Sequence, residues 1–485
     1  RDARESSPEI YREVTAGITD AGADVLDLGL ATTPMVYYAT AKYGYHASVQ
    51  ITASHNPKQY NGIKISRFNA VPVGYDTGLQ ERERRMREEP MGMAEKRGSI
   101  RPFDIKAEYV NFLKGFAHDL DTLKVAVDCS NGMTALLVHD VLPQTYHYLY
   151  DTLDGNFPNH EANPLIEANT AVLRRMVVDK GCDAGIIFDG DGDRVVFIDE
   201  TGTFIPPDIM LGIMGLHFFK GESKKTEKVL VDIRTSKSVA EFLKPLGGEV
   251  QTWRVGRAYM ATKLREIDGL FGGELAGHYY FRDFFYSDSG LLAAIILLDV
   301  VADLKKNHQT LSAAVKKVVR YANSGELNFS IADKQAAMDA VRDFFTSQER
   351  PTVSVDYDGY RVEFADWWFN IRPSNTEPLL RFVGEAKTRE LLEQKVKQLR
   401  GASMQDVIFA GTATRRPQNY ASVSISFDNS DHALSLPYEE ITVSRRLYRS
   451  GESEYRLNGS ECRLKDIHEL FYDTGIGKEG YSLIG

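Results

Sequence analysis

Three times in this chain a short, strand-like aliphatic run is set against a helical pattern. The runs are Ser48–Ile51, Leu123–Asp128 (LKVAVD) and Lys228–Asp232 (KVLVD). The first closes an alternation of Val25–Leu28 (strand-like) and Pro34–Lys42 (helical), and the third leads into a helical run over Ser236–Phe242. Strands alternating with helices predict βα units, mainly parallel sheet over residues 1–120, and three similar α/β domains. From about Leu327 the pattern changes to strand, helix and strands, ending in a helical run over Thr388–Gln398, which predicts a smaller α+β fourth domain. A length of 485 residues accommodates that many domains.

Composition removes several classes. With 43% hydrophobic and 26% charged residues the chain is globular and not disordered. A net charge of −10 gives no general attraction to nucleic acid or anionic membrane. Cys129, Cys182 and Cys462 lie too far apart for a metal-ligand pattern and fit a reducing compartment, so a cytoplasmic location is expected. No run has transmembrane length and no signal peptide is visible. The longest apolar stretch, near Leu291–Val301, contains Asp299 and reads as a buried helix. The charged run at 81–90 reads as a solvated helix face.

The chemistry is concentrated in loops. Thr52-Ala-Ser-His-Asn-Pro57 follows the first aliphatic run, and Pro57 with Asn61-Gly62 supplies turn residues. Ser54 is thereby presented from a tight loop, a setting that suits phosphoryl chemistry. In an extended segment the Ser54 and His55 side chains point apart, which argues against a Ser–His nucleophile pair. Phe188-Asp-Gly-Asp-Gly-Asp-Arg194 places three carboxylates at alternate positions, a set of hard oxygen ligands for a cation such as Mg²⁺. A calcium EF-hand is opposed by Arg194, where the loop needs glycine, and by strand-like flanks. A Gly-Gly-Glu loop at 272–278 and the donor-rich Arg372-Pro-Ser-Asn-Thr-Glu-Pro378, followed by Arg381, complete the set.

These four loops, in this order, resemble those of the α-D-phosphohexomutases, the phosphoglucomutase/phosphomannomutase family, over about residues 1–400. The resemblance implies four domains, at 1–120, 121–205, 206–324 and 325–400. It makes Ser54 the phosphate carrier, and Asp189, Asp191 and Asp193, with the Ser54 phosphate, the ligands of Mg²⁺. Arg194 would face the phosphate. Lys64 would assist proton transfer, and His55 and His278 would lie near the reacting centre. Glu274 would hold sugar hydroxyls, with Ala276 departing from the family's usual serine. Arg372, Ser374, Asn375, Thr376 and Arg381 would hold the phosphate that is not transferred. The implied activity interconverts hexose 1-phosphate and hexose 6-phosphate (glucose or mannose) through a hexose 1,6-bisphosphate, with a phosphoglucosamine mutase as the alternative. Arg1-Asp-x-Arg-x-Ser-Ser7 resembles a stretch inside the first mutase domain. The family's opening segment, with its own arginine, is therefore expected upstream, and impaired activity with it.

After Leu399-Arg400-Gly401 the chain changes character. Residues 401–485, through RRLYRSGESEY and CRLKDI, resemble a partial N-terminal head segment of bacterial SMC chromosome-partition ATPases. Asn458-Gly459 predicts a hairpin, and Lys465–Phe471 a short helix. Gly475, Gly477 and Gly480 spell G-x-G-x-x-G but follow a helical run, and Glu479 stands where a Walker A loop needs Ser or Thr. No ATPase activity is expected of this tail. It carries more carboxylates than cations, so nucleic-acid binding is not expected either.

Overall fold

The computed structural model describes residues 1–89, 92–221, 226–331, 333–374, 378–404, 420–430, 436–448 and 452–470. The chain divides into two compact units, Arg1–Tyr321 and Ala322–Gly485.

In the first unit β1 (Val25–Asp27), β2 (Ala47–Ile51), β3 (Ile63–Arg67) and β4 (Ile100–Pro102) form two separate pairs, β1 with β4 in parallel and β2 with β3 antiparallel. Among the described residues of 1–120, the expected mainly parallel sheet is therefore not formed. The serine loop returns the chain as a hairpin, so β2 spends its ladder on β3.

Two five-stranded sheets follow with one topology. In the first, β5 (Val125–Asp128), β6 (His147–Leu149), β7 (Ala184–Phe188), β8 (Val195–Asp199) and β9 (Phe204–Ile205) lie in the order β6-β5-β7-β8-β9. In the second, β10 (Glu227–Asp232), β11 (Gly248–Trp253), β12 (Phe271–Gly273), β13 (Tyr279–Phe281) and β14 (Ser287–Asp288) lie in the order β11-β10-β12-β13-β14. Each sheet has two parallel pairings followed by two antiparallel ones. β5, β7 and β8 are buried along their whole length, and so read as continuous aliphatic runs without alternation.

The helix Gly290–Lys306 is apolar on every side and buried through residue 302, as a core helix must be. Ser289 caps its start by accepting from Leu292 N, and Lys305 and Lys306 sit at the negative end of its dipole. Asp299 is accommodated by His217 Nδ1 at 3.1 Å. One hydrophobic core runs from Ala31 through Val125, Phe188 and Phe197 to Leu292 and Val318, joining all three repeats.

In the second unit β15 (Ala322–Asn323), β16 (Leu327–Phe329), β17 (Val353–Val355), β18 (Tyr360–Glu363), β19 (Trp367–Pro373) and β20 (Leu380–Ala386) form an antiparallel sheet. The aromatic rings of Phe345, Phe364, Trp367, Phe369 and Phe382 fill its core. The helix Arg389–Met404 runs through the Leu399-Arg400-Gly401 junction. A four-stranded meander follows: β21 (Tyr420–Asp428), β22 (Glu440–Tyr448), β23 (Ser453–Leu457) and β24 (Ser460–Cys462), then the helix Leu464–Leu470. Asn458 and Gly459 both take positive φ, as a two-residue hairpin turn demands. Gly475, Gly477 and Gly480 lie outside the described residues. Among the described residues no helix is long and apolar enough to cross a membrane.

Candidate active site

Three hairpin loops converge in the first unit. They join β2 to β3, β7 to β8 and β12 to β13, the last two being equivalent positions in the two matching sheets. The Ser54 hydroxyl donates to Asp189 Oδ2 at 2.6 Å. A Cβ on Gly190 would come within 2.5 Å of the Ser54 carbonyl oxygen, so only glycine allows the two loops to approach this closely. Val195 N donates to Gly277 O at 3.2 Å, joining the second loop to the third.

Ser54 itself has φ 52°, a left-handed conformation. The loop is therefore curled, not extended, and His55 Nδ1 lies 3.5 Å from Ser54 Oγ. This corrects the expectation that the two side chains point apart, although the distance is too long for a strong hydrogen bond. Burial, then the charge of Arg194, pushes the His55 pKa down to about 3, which keeps its ring neutral.

Asp189, Asp191 and Asp193 are fully buried, and one oxygen from each falls within 4.8 Å of the others. Lys64 Nζ donates to Asp191 Oδ2 and Asp193 Oδ2, both at 2.6 Å. Thr33 anchors the loop from the first domain, by its hydroxyl to Asp191 Oδ2 and by its N–H to Asp191 O. Burial, then Asp193 and Asp191, raises Asp189 well above the usual carboxylate range. Burial opposes the Lys64 ammonium, but Asp191 and Asp193 outweigh it and hold its pKa well above the ordinary lysine value. Asp191 Oδ1 and Asp193 Oδ1 are buried with no hydrogen-bond partner. Buried carboxylate oxygens left this way are costly unless something positive meets them, so the donor set fits a hard divalent cation.

The third loop brings two further candidates. His278 Nε2 accepts from Arg194 Nε at 2.9 Å, and Arg194 lies 3.8 and 3.9 Å from Asp189 and Asp193. Glu274 is buried, with Oε1 accepting from the Tyr280 hydroxyl at 2.5 Å and Oε2 from Gly256 N at 2.7 Å. Ala276 is partly exposed in the same loop.

The remaining candidates belong to the second unit. Arg372 on β19 and Arg381 on β20 are cross-strand partners. Arg372 Nε is 3.2 Å from Asp358 Oδ1, and its Nη2 is buried without a partner. Arg381 Nη1 lies 3.3 Å from Glu326, and Ser374 N donates to Leu379 O at 2.8 Å. Asn375 and Thr376 lie outside the described residues.

Two contributors carry no local signal strong enough to single them out. The Arg4 side chain is fully buried and donates to four loop carbonyls: Ser54 O, Asn56 O, Pro57 O and Tyr60 O, at 2.7 to 3.2 Å. Its position in Arg-Asp-x-Arg, upstream of the loop, is the one trace of it in the sequence. Arg4→Met is expected to lower stability by about 3 kcal/mol and kcat by about 10- to 100-fold. Urea melts and steady-state kinetics check this, and wild-type kcat in the variant would contradict it.

His160 braces the turn beneath the aspartate loop. Its Nε2 is 3.1 Å from Asp128 Oδ2, and Ser130, in the same turn, donates to Phe188 O at 2.6 Å. Burial lowers the His160 pKa, but the Asp128 hydrogen bond and charge outweigh it and raise it above 6.5. A raised folded-state pKa gives stability that is fully present below the unfolded value and is lost as pH rises through the folded one. The melting-temperature gap between wild type and His160→Gln should therefore narrow with rising pH, and a gap that widens would refute the pairing.

A buried carboxylate cluster that could hold a metal ion, beside a serine hydroxyl, fits the class of metal-assisted phosphoryl-transfer enzymes, here on repeated α/β domains. Family models for phosphoglucomutase/phosphomannomutase match the chain in order: α/β/α domain I at residues 1–89, domain II at 107–202, domain III at 206–321 and the C-terminal domain at 326–402. The chain belongs to the phosphoglucomutase/phosphomannomutase family and is a phosphohexomutase-type intramolecular phosphotransferase. The model for the RecF/RecN/SMC N terminal domain matches residues 389–482.

A phosphomannomutase of Escherichia coli K12 is 34% identical over 414 residues, 81% of this chain and 89% of that protein. The crystal structure of a phosphoglucomutase/phosphomannomutase family protein from Burkholderia thailandensis superposes with a TM-score of 0.74 at 27% identity. The match covers 83% of this chain and 87% of that one. An N-acetylphosphoglucosamine mutase of Aspergillus fumigatus, solved with GlcNAc-6P and magnesium, shares the fold with a TM-score of 0.52 at 14% identity. It covers 82% of this chain and 99% of that one.

Proposed function

We propose that this protein interconverts hexose 1-phosphate and hexose 6-phosphate, with glucose and mannose as the sugars, through a phosphoserine at Ser54. The observation that carries this reading is the Ser54 hydroxyl held 2.6 Å from a buried carboxylate of the Asp189/Asp191/Asp193 cluster. Phospho-Ser54 donates to a hexose monophosphate. The sugar hydroxyl oxygen bonds to phosphorus, the P–Oγ bond breaks, and the hydroxyl proton leaves the sugar as Ser54 Oγ gains one, a transfer that Lys64 assists with His278 near the reacting centre. The hexose 1,6-bisphosphate reorients and returns its other phosphate to Ser54. Asp189, Asp191 and Asp193 would hold Mg²⁺, which when bound neutralises the phosphate and polarises it.

In this reading Arg194 faces the transferring phosphate, His55 lies beside the serine as a neutral group, and Glu274 holds sugar hydroxyls beside Ala276. Arg372, Ser374, Asn375, Thr376 and Arg381 hold the other phosphate. Arg372 and Arg381 are cross-strand partners, and the buried Arg372 Nη2 with no hydrogen-bond partner supports a role in holding an anion. The domains are 1–120, 121–205, 206–324 and a smaller α+β domain at 325–400. Residues 401–485 are a partial SMC head segment with no assigned catalytic part, and the protein works in the cytoplasm. A coupled assay with Mg²⁺ and trace hexose bisphosphate, comparing glucose, mannose and glucosamine 1-phosphates, tests the substrate class. Turnover of glucose or mannose 1-phosphate is expected, and turnover of the amino sugar alone would overturn the assignment.

A further inference from the structure

Asp288 has no part in the reading above, yet it is wholly buried one bond away from it. Its Oδ2 is 2.7 Å from His278 Nδ1, and its Oδ1 accepts from Arg257 Nε at 2.9 Å. On the far side of the imidazole, Nε2 accepts from Arg194 Nε. An arginine keeps its protons, so Arg194 Nε is always the donor and His278 Nε2 must carry the lone pair. The ring proton is then on Nδ1 and is donated to Asp288. Arg257 in turn is held by packing over the Tyr37 ring, 3.7 Å from its centroid. A line of contacts runs from Tyr37 through Arg257, Asp288 and His278 to Arg194, which lies against Asp189 and Asp193.

We propose that Asp288 is a positioning residue that fixes His278 in its Nδ1–H tautomer, leaving Nε2 to hold the Arg194 guanidinium at the serine–aspartate site. The proposal rests on the phosphohexomutase reading only for its effect on turnover. The tautomer is a property of the resting protein. The arrangement also makes Asp288→Asn informative. Arg257 Nε–H demands an acceptor, so the new amide turns its oxygen to Arg257 and its NH₂ to His278. Nδ1 must then accept, the ring proton moves to Nε2, and Nε2–H meets the Arg194 N–H donor to donor. A carboxylate does not force this choice and an amide does.

The test is a long-range ¹H–¹⁵N spectrum of histidine-labelled full-length protein, with the His278 signals assigned by their loss in His278→Gln. Wild type should show the Nδ1–H pattern and Asp288→Asn the Nε2–H pattern. In Asp288→Asn kcat should fall about 100-fold or more, while KM for the hexose phosphate moves by less than about threefold. In the double variant Asp288→Asn/Arg257→Met the amide is free to turn, and the Nδ1–H pattern should return. An Nε2–H pattern in wild type overturns the proposal, even if Asp288→Asn does not fold. So does an Nδ1–H pattern that survives in folded Asp288→Asn, or a loss expressed in KM alone. If the protein turned over no hexose phosphate, the mutase reading would fail while the tautomer pattern still decided this proposal.

Discussion

Ser54→Ala is expected to lower turnover by about 10⁴-fold or more, because in the proposed mechanism it removes the atom that carries the phosphate between the two halves of the reaction. The fold should tolerate the change. The side chain makes one strong hydrogen bond, to Asp189, and the loop is held by backbone contacts: Ser54 N to Thr52 Oγ1, Asn56 N to Ala53 O and the four carbonyls on Arg4. Stability should therefore fall by only about 1–3 kcal/mol. The decisive pair of measurements is kcat in the coupled assay and incorporation of labelled phosphate from hexose bisphosphate. Both should vanish together in the variant. A folded Ser54→Ala protein with substantial turnover would exclude a phosphoserine mechanism, and label retained in the variant would place the carrier on another side chain.

Removing divalent cations should have the second largest effect. Chelation with EDTA is expected to abolish turnover and Mg²⁺ to restore it. The same cation should raise the melting temperature, since saturation at 100 times Kd is worth about 2.7 kcal/mol. The expectation follows from Asp191 Oδ1 and Asp193 Oδ1, buried acceptors with no partner. Asp191→Asn should weaken Mg²⁺ binding in a calorimetric titration, because it removes a buried negative charge from the loop. Full activity in EDTA would sink the assignment, as would an Mg²⁺ melting shift in Asp191→Asn equal to that of wild type.

What could be read from the sequence is what acts locally. Alternating aspartates and glycines between two aliphatic runs announce a carboxylate-lined hairpin, and the structure builds that hairpin from β7 and β8. The apolar run at 291–301 announces a buried helix for the same reason. Where the reading failed, the missing information was tertiary. The expected parallel sheet over residues 1–120 assumed that β2 would pair with a distant strand, and it pairs with its neighbour. The separation of Ser54 from His55 assumed an extended backbone, and no residue at 54 advertises positive φ. Arg4 and Thr33 reach the site from segments far from the loops they support, so no spacing rule connects them, and Asp288, ten residues after His278 on β14, belongs to no motif that singles it out.

The shared core of the three repeats has a consequence for how the site is lost. Gly290 N, at the start of the helix shared by the core, donates to Gly192 O inside the aspartate loop, and a Cβ at Gly290 would meet the Arg194 carbonyl oxygen at 2.6 Å. The aspartate loop is thus riveted to a deeply buried helix of the unit instead of being carried on a separable flap. Local opening that exposes the aspartates must disturb that helix, and with it the interior common to all three domains. The first unit should therefore behave as a single foldon. Amide exchange at the loop should be nearly as slow as at the helix, and activity should disappear within the main melting transition, not ahead of it.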